Sequence, residues 1–246
     1  MSSLLVVTLV GFAAGMVGTG TGGAMAITLR SPSKRLLSVL LSLSGGLMIS
    51  VVCFDLLPEA FEVGNTSYGV TGILIGVFAL IVMGELIPKP RNIKGGGKGM
   101  RYIKTGILMG VGIATHNFPE GLAIGSGYMA TAKFGFGLTM VIALHNIPEG
   151  IAMATPMIIG GMARFKVFLY TILAGVPMGL GAFIGYLLGE ISPVFISICL
   201  GFAGGAMLYI TCSELIPESH SLYRGRISSL GIILGIIGGI IISAVF

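Results

Sequence analysis

The pattern His116-Asn117-Phe118-Pro119-Glu120-Gly121 returns almost unchanged as His145-Asn146-Ile147-Pro148-Glu149-Gly150, and two of the chain's three histidines lie in these copies. Imidazole nitrogen combined with carboxylate oxygen suits a divalent first-row transition metal, zinc first, and suits calcium or magnesium poorly. In a helix, residues i and i+4 share a face, so His116 points with Glu120 and His145 with Glu149, while Asn117 and Asn146 lie about a third of a turn round. Pro119 and Pro148 remove backbone donors. The carbonyls of Thr115 and Leu144 then lack their usual partners, a defect tolerated at membrane depth only where protein or a wet cavity supports it. Two antiparallel helices meeting at the two motifs would bring two imidazoles and two carboxylates to one point.

Each motif sits in the middle of a long apolar run. A carboxylate near a bilayer centre costs roughly 2.5 to 3.5 kcal/mol even on insertion scales, and the chain supplies no buried Lys or Arg to pair with it. The counter-ion must come from outside, as a metal cation or as protons when the metal is absent. With 54% hydrophobic and 9% charged residues and a mean hydropathy of +1.02, the chain reads as an all-α integral membrane protein. Apolar stretches long enough to cross about 30 Å of hydrocarbon number eight: Leu4–Leu29, Leu36–Leu57, Tyr68–Ile87, Ile103–Met129, Phe134–Ile159, Val167–Leu188, Val194–Ile216 and Ile227–Phe246. The links are short, which makes residues 1–246 a single transmembrane domain. The first span has no basic leader and is too long for a signal-peptide core, so it is expected to be retained.

Lys and Arg in short loops stay on the cytoplasmic side. Of 14 basic residues, Arg30, Lys34 and Arg35 fall between spans one and two, and Lys89, Arg91, Lys94, Lys98, Arg101 and Lys104 between three and four. Arg164 and Lys166 join five to six, Arg224 and Arg226 join seven to eight, and Lys133 alone falls on the other side. Both termini are therefore expected outside. The net charge of +5 expresses membrane orientation, with the lipid bilayer as the partner and no nucleic acid. Cys53, Cys199 and Cys212 are too few for a disulfide framework and read as small packing residues. Glycines at 106 and 110, at 181, 185 and 189, and at 231, 235 and 239 are spaced to let helices approach closely. The glycine-rich run 18–23 lacks a following Lys and is read the same way, not as a phosphate loop.

An internal repeat sets the architecture. Gly45-Gly46-Leu47-Met48 through Cys53-Phe54-Asp55-Leu56-Leu57-Pro58-Glu59 matches Gly204-Gly205-Ala206-Met207 through Cys212-Ser213-Glu214-Leu215-Ile216-Pro217-Glu218 with the same internal spacing. Span two runs outward-going and span seven inward-going, so spans 1–3 and 6–8 form an inverted repeat around the central pair 4–5, an arrangement that places transporter sites at the midplane. Asp55 and Glu59 then stand near the outer end of span two, and Glu214, Glu218 and His220 near the inner end of span seven, as steps of a cation path. Glu62 and Glu190 read as solvated helix ends, and Glu85 is left without a role. An intramembrane zinc metallohydrolase is the rival from another class, since zinc with His and Glu also activates water; no His-Glu-x-x-His appears, and a duplicated site suits passage better. An efflux carrier or a passive channel for the same ions is the other alternative.

With these residues in view, the chain resembles the ZIP family, the zinc- and iron-regulated-transporter-like proteins, over essentially its whole length. The resemblance implies eight helices with both ends outside, and a metal site on the fourth and fifth at His116, Glu120, His145 and Glu149 with Asn117 and Asn146 beside it. It also implies an approach by Met48, import of Zn2+, Fe2+, Mn2+ or Cd2+ into the cytosol and, as is common in the family, a homodimer; the reading as a whole is of uptake across the cytoplasmic (inner) membrane by alternating access around the midplane site. Two departures stand out. Where many members carry Glu-Pro in the sixth helix, this chain has Val176-Pro177, which argues against a second metal. The Lys89–Lys104 loop, often His-rich in other members, has no His.

Overall fold

The computed structural model describes residues 2–29, 33–86, 98–223 and 225–245. The loop residues Arg30, Lys89, Arg91, Lys94 and Arg224 lie outside the described residues. Every element within them is helical: α1 (Ser2–Leu29), α2 (Lys34–Val51), α3 (Leu57–Val63), α4 (Thr66–Leu86), α5 (Lys98–Ala130), α6 (Ala132–Ile159), α7 (Arg164–Ile191), α8 (Pro193–Ile210), α9 (Ile216–Leu222) and α10 (Arg226–Val245). A single π-helical turn, Val52–Leu56, fuses α2 to α3, and another, Thr211–Leu215, fuses α8 to α9. Counting those fusions as one helix each gives the eight expected spans.

Seven of the eight are long and apolar enough to cross a membrane. The exception is α5, which is long enough at 33 residues but carries His116, Asn117, Pro119 and Glu120 in its middle. Its neighbours hold it: α6, α7 and α8 all pack against it. Large apolar side chains such as Leu74 and Phe78 on α4, and Leu234 and Ile241 on α10, are exposed and form the lipid-facing belt.

The duplication is visible in the packing. Helix α2 packs on α10 as its counterpart α8 packs on α4, and α1 packs on α6 as its counterpart α7 packs on α5. The two π turns occupy the same position in the two repeats and have the same cause. Pro58 and Pro217 lack the N–H that would continue the α ladder, and the ladder slips upstream: Leu57 N–H bonds the Val52 carbonyl and Ile216 N–H the Thr211 carbonyl. The sequence reading, which took both spans as plain helices, did not contain this feature. It also read all three cysteines as packing residues, whereas Cys199 is buried and Cys53 and Cys212, one in each π turn, are exposed.

Glycine seams divide the bundle into two sets. Within α1, α5, α6 and α7, a Cβ added at Gly15 would strike the Gly175 carbonyl, at Gly22 the Ile147 carbonyl, and at Gly181 the Phe118 carbonyl. Within α2, α4, α8 and α10, a Cβ at Gly46 would strike Ile232 O, at Gly235 Leu43 O, and at Gly76 Phe202 O. The glycine-rich run 18–23 packs as expected, with Gly18 against α6 and Gly23 against Thr171 of α7. None of these backbone-to-backbone approaches joins one set to the other; side chains fill that boundary.

Candidate metal site

The two motif helices, α5 and α6, lie against each other and bring three ligand-bearing side chains together. His145 Nε2 is 3.1 Å from Glu120 Oε1, and both side chains are fully buried. Glu149, one turn along α6, completes the group: one ligand atom from each of Glu120, His145 and Glu149 lies within 4.8 Å of the others. Zinc bonds of about 2.0–2.2 Å to nitrogen and oxygen put tetrahedral ligands roughly 3.4 Å apart, so a small contraction of these side chains encloses an ion.

The last glycine of each motif explains how the site is sealed. A Cβ at Gly121 would collide with the Met178 carbonyl of α7, and one at Gly150 with the Thr19 carbonyl of α1. Those contacts let α7 and α1 close directly behind the two glutamates. Ser44 of α2 donates its hydroxyl to the His145 carbonyl at 3.2 Å, a contact between α6 and the opposite set at this depth.

What the enclosed polar groups lack is a partner. Glu120 Oε2, both carboxylate oxygens of Glu149, the amide oxygen of Asn117 and both amide atoms of Asn146 are buried with no hydrogen-bond partner among the described residues. A buried, uncompensated carboxylate is expensive, several kcal/mol per ion even after relaxation. A divalent cation would supply the missing compensation, and the groups present are ones that such a transition-metal ion prefers as ligands. Asn117 is half committed, since its Nδ2 donates to the Ala174 carbonyl of α7 at 2.7 Å. Asn146 backs onto Gly18 of α1.

His116, expected as the fourth member of one cluster, is placed differently. Its Nε2 stands 3.8 Å from Glu214 Oε2, and both residues line a cavity of about 730 Å³ that also reaches Glu149, Glu218 and Glu85. His116 thus joins the cluster to the cavity. Met48 is fully buried, and its sulfur accepts a 3.6 Å hydrogen bond from Thr211. His220, expected on the path, does not line this cavity; its Nδ1 lies 3.0 Å from the Ile216 carbonyl of its own helix. Glu85 is the residue the sequence reading left unassigned, and its position at the end of an apolar span was the available signal.

At the opposite end, Asp55 accepts a hydrogen bond from Ser243 of α10 and lines a smaller cavity of about 200 Å³ with Lys133, Leu138 and Val141. Glu59, one turn further along the same fused helix, is half-buried and is not among the residues lining it. One face of α6 links everything: Phe134, Leu138 and Val141 border the small cavity, His145 and Glu149 form the cluster, and Glu149 and Ala152 border the large one. Buried Leu138, Val141 and Ile142 separate the small cavity from the cluster.

Residues 87–245 match the family described as ZIP Zinc transporter. Among curated proteins, one named Zinc transporter ZupT from Corynebacterium aurimucosum is 30% identical over 234 residues, covering 88% of this chain and 88% of its own length. Proteins of the same name from Akkermansia muciniphila and Stenotrophomonas maltophilia are each 31% identical, the first covering 95% of both chains and the second 91% of this chain and 89% of its own.

Proposed function

The chain belongs to the ZIP zinc transporter family, and from that premise we propose that it carries divalent transition-metal cations, Zn2+ foremost, through the Glu120–His145–Glu149 site into the cytosol. Family membership makes the chain a transporter, and the intramembrane hydrolase reading is set aside with it. The observation that carries the proposal is the buried trio itself: two carboxylates and an imidazole within 4.8 Å of one another, with three of the four carboxylate oxygens lacking a hydrogen-bond partner among the described residues. Zn2+ fits this donor set best; Fe2+, Mn2+ and Cd2+ share enough of its ligand preferences to compete.

The direction rests on charge. Lys34, Arg35, Arg101, Lys104, Arg164, Lys166 and Arg226 stand at the starts of α2, α5, α7 and α10, which are the Glu214 end of the bundle, while Lys133 stands at the Asp55 end. Positive-inside orientation makes the Glu214 end cytoplasmic and puts both termini outside. The ion then arrives past Asp55 and Glu59, is stripped of water at the trio with Asn117, Asn146 and Met48 beside it, and leaves by His116, Glu214 and Glu218. Alternating access is supported by the glycine seams: the set α1, α5, α6 and α7, which holds the trio, moves as a body against α2, α4, α8 and α10, because the close glycine-to-backbone approaches named above lie within each set and not across the boundary. The unit in the cytoplasmic membrane is a homodimer.

The test is metal flux in proteoliposomes, with a panel of divalent ions and imposed pH gradients. Saturable Zn2+ flux in the wild-type protein, lost in a Glu120→Ala, Glu149→Ala double variant that still elutes as a folded species, is the expected result. Undiminished flux in that variant contradicts the site. Flux that does not saturate favours a channel, and flux driven only outward favours efflux.

A further inference from the structure

Lys133 breaks two rules at once. Among the described residues it is the one basic residue at the Asp55 end, and it lies in the first turn of α6, two residues after the Thr131 cap that accepts from Phe134 N–H at 3.1 Å. The helix dipole disfavours a cation there, and α6 has no acidic residue in that turn to balance it. Lys133 is exposed, and a cation in that place slightly weakens the helix. Its surroundings supply the reason for it: Lys133 lines the 200 Å³ cavity together with Asp55, Thr131 and Ser243.

Asp55 is the sole acid lining that cavity among the described residues. Ser243 donates to its Oδ1, and Asp55 and Lys133 border the same small cavity. No ion pair within 4.0 Å joins the two in this arrangement. The ammonium sits on a flexible four-carbon stem, however, and is free to close on the carboxylate or to withdraw from it. A small space lined by one carboxylate and one ammonium holds one cationic partner for Asp55 at a time.

We propose that Lys133 is a tethered cation that competes with the incoming divalent metal for Asp55, so that the metal gains the outer cavity only by displacing the ammonium. The proposal rests on the transport reading above and adds to it a residue that sets the threshold for uptake. When no metal is present, the ammonium neutralises Asp55 and lowers the cost of closing the Leu138–Val141 side over it. When the metal arrives, two positive charges more than one site needs are brought together, and the lysine swings out. A monovalent ion, with half the charge, is a weaker displacer, so the same device discriminates by valence.

The experiment measures initial Zn2+ uptake from the Asp55 side in proteoliposomes for Lys133→Gln, Lys133→Arg, Asp55→Asn and the Asp55→Asn, Lys133→Gln double variant. Removing one unit charge from a partly screened cavity should lower the half-saturating Zn2+ concentration by about three- to tenfold in Lys133→Gln, while Lys133→Arg keeps the wild-type value. The decisive reading is non-additivity: in the Asp55→Asn background, Lys133→Gln should shift half-saturation by less than about twofold. An unchanged or raised half-saturating concentration in Lys133→Gln overturns the proposal. An equal fall with and without Asp55 overturns it too, since that is the signature of a long-range field and not of competition. Lys133→Met, which keeps the stem and drops the charge, must behave as Lys133→Gln; a difference between them makes the effect one of packing. Wild-type protein without flux would overturn the transport reading and this proposal with it, whereas flux with normal half-saturation in every Lys133 variant overturns this proposal alone.

Discussion

Asp55 and Glu214 hold the same place in the two repeats, the fourth residue of a π turn followed by proline, yet their surroundings differ in every respect that matters to a cation. Asp55 is hydrogen-bonded to Ser243 and opens on a cavity of about 200 Å³ that it shares with a lysine. Glu214 has a side chain 58% exposed, faces His116 at 3.8 Å, and opens on about 730 Å³ lined by three further acids. The same inequality appears at the centre. The repeat relates the pair His145 and Glu120 to the pair His116 and Glu149, but only the first is closed, at 3.1 Å, while His116 has turned toward Glu214. A sequence with near two-fold symmetry has adopted an arrangement in which one mouth is open and the other plugged by Leu138, Val141 and Ile142. The departure from symmetry is the physical content of one-sided access.

The largest expected effect tests that inequality directly. In a chain whose three cysteines are replaced, Ser213→Cys on the wall of the large cavity should react with a water-soluble maleimide at least about a hundredfold faster than Val141→Cys in the plug, as expected for an exposed thiol against a buried one. Comparable labelling rates would erase the distinction between the two ends. Next in size is Gly181→Val. The added side chain meets the Phe118 carbonyl, and overpacking of this kind costs about 1–3 kcal/mol, read as a lowered unfolding temperature in detergent; Gly84→Val, with open space around it, is the control and should leave that temperature within error.

Glu214→Gln comes third: with the carboxylate beside His116 neutralised, the maximal flux should fall by about tenfold, a change of ~1.4 kcal/mol, with half-saturation nearly unchanged. A raised half-saturating concentration instead would place Glu214 at the intake and invert the assignment of the two mouths. The smallest effect belongs to Ser243→Ala, which removes one hydrogen bond to Asp55. A hydrogen bond to a charged group contributes about 1.5–3 kcal/mol when buried, less in a wet cavity, so a shift of half-saturation of about twofold is expected, and the maximal rate should not move.

Much of this was legible in the sequence, for identifiable reasons. The paired motifs announced the site because His and Glu are conspicuous in apolar runs, and the glycine spacings announced the seams because no other residue lets backbones touch. The repeat from Gly45 and Gly204 announced the architecture. What the sequence did not show was depth and rotation. The i, i+4 rule puts His116 and Glu120 on one face, but they lie about 6 Å apart along the axis, so one helix can offer its glutamate to the cluster and its histidine to the cavity. The π turns insert a residue before Pro58 and Pro217 and rotate the acids that follow; a helical periodicity drawn straight through those prolines cannot contain this. Met48 was expected to approach the metal, and the hydrogen bond from Thr211 to its sulfur depends on α8 lying alongside α2, a tertiary fact. Glu85 was passed over because a single acid at the end of a span looks the same whether it meets solvent or a cavity wall.

The central claim is that Glu120, His145 and Glu149 hold the transported ion. X-ray absorption on the Zn2+-loaded protein in detergent, paired with equilibrium Zn2+ titration of the wild-type and of the Glu120→Ala, Glu149→Ala variant, tests it most directly. The account predicts one tight Zn2+ per chain in a shell of nitrogen and oxygen at about 2.0–2.1 Å, with imidazole scattering from His145, and loss of that tight ion in the double variant. A sulfur-dominated shell, or tight binding that survives removal of both glutamates, would contradict it.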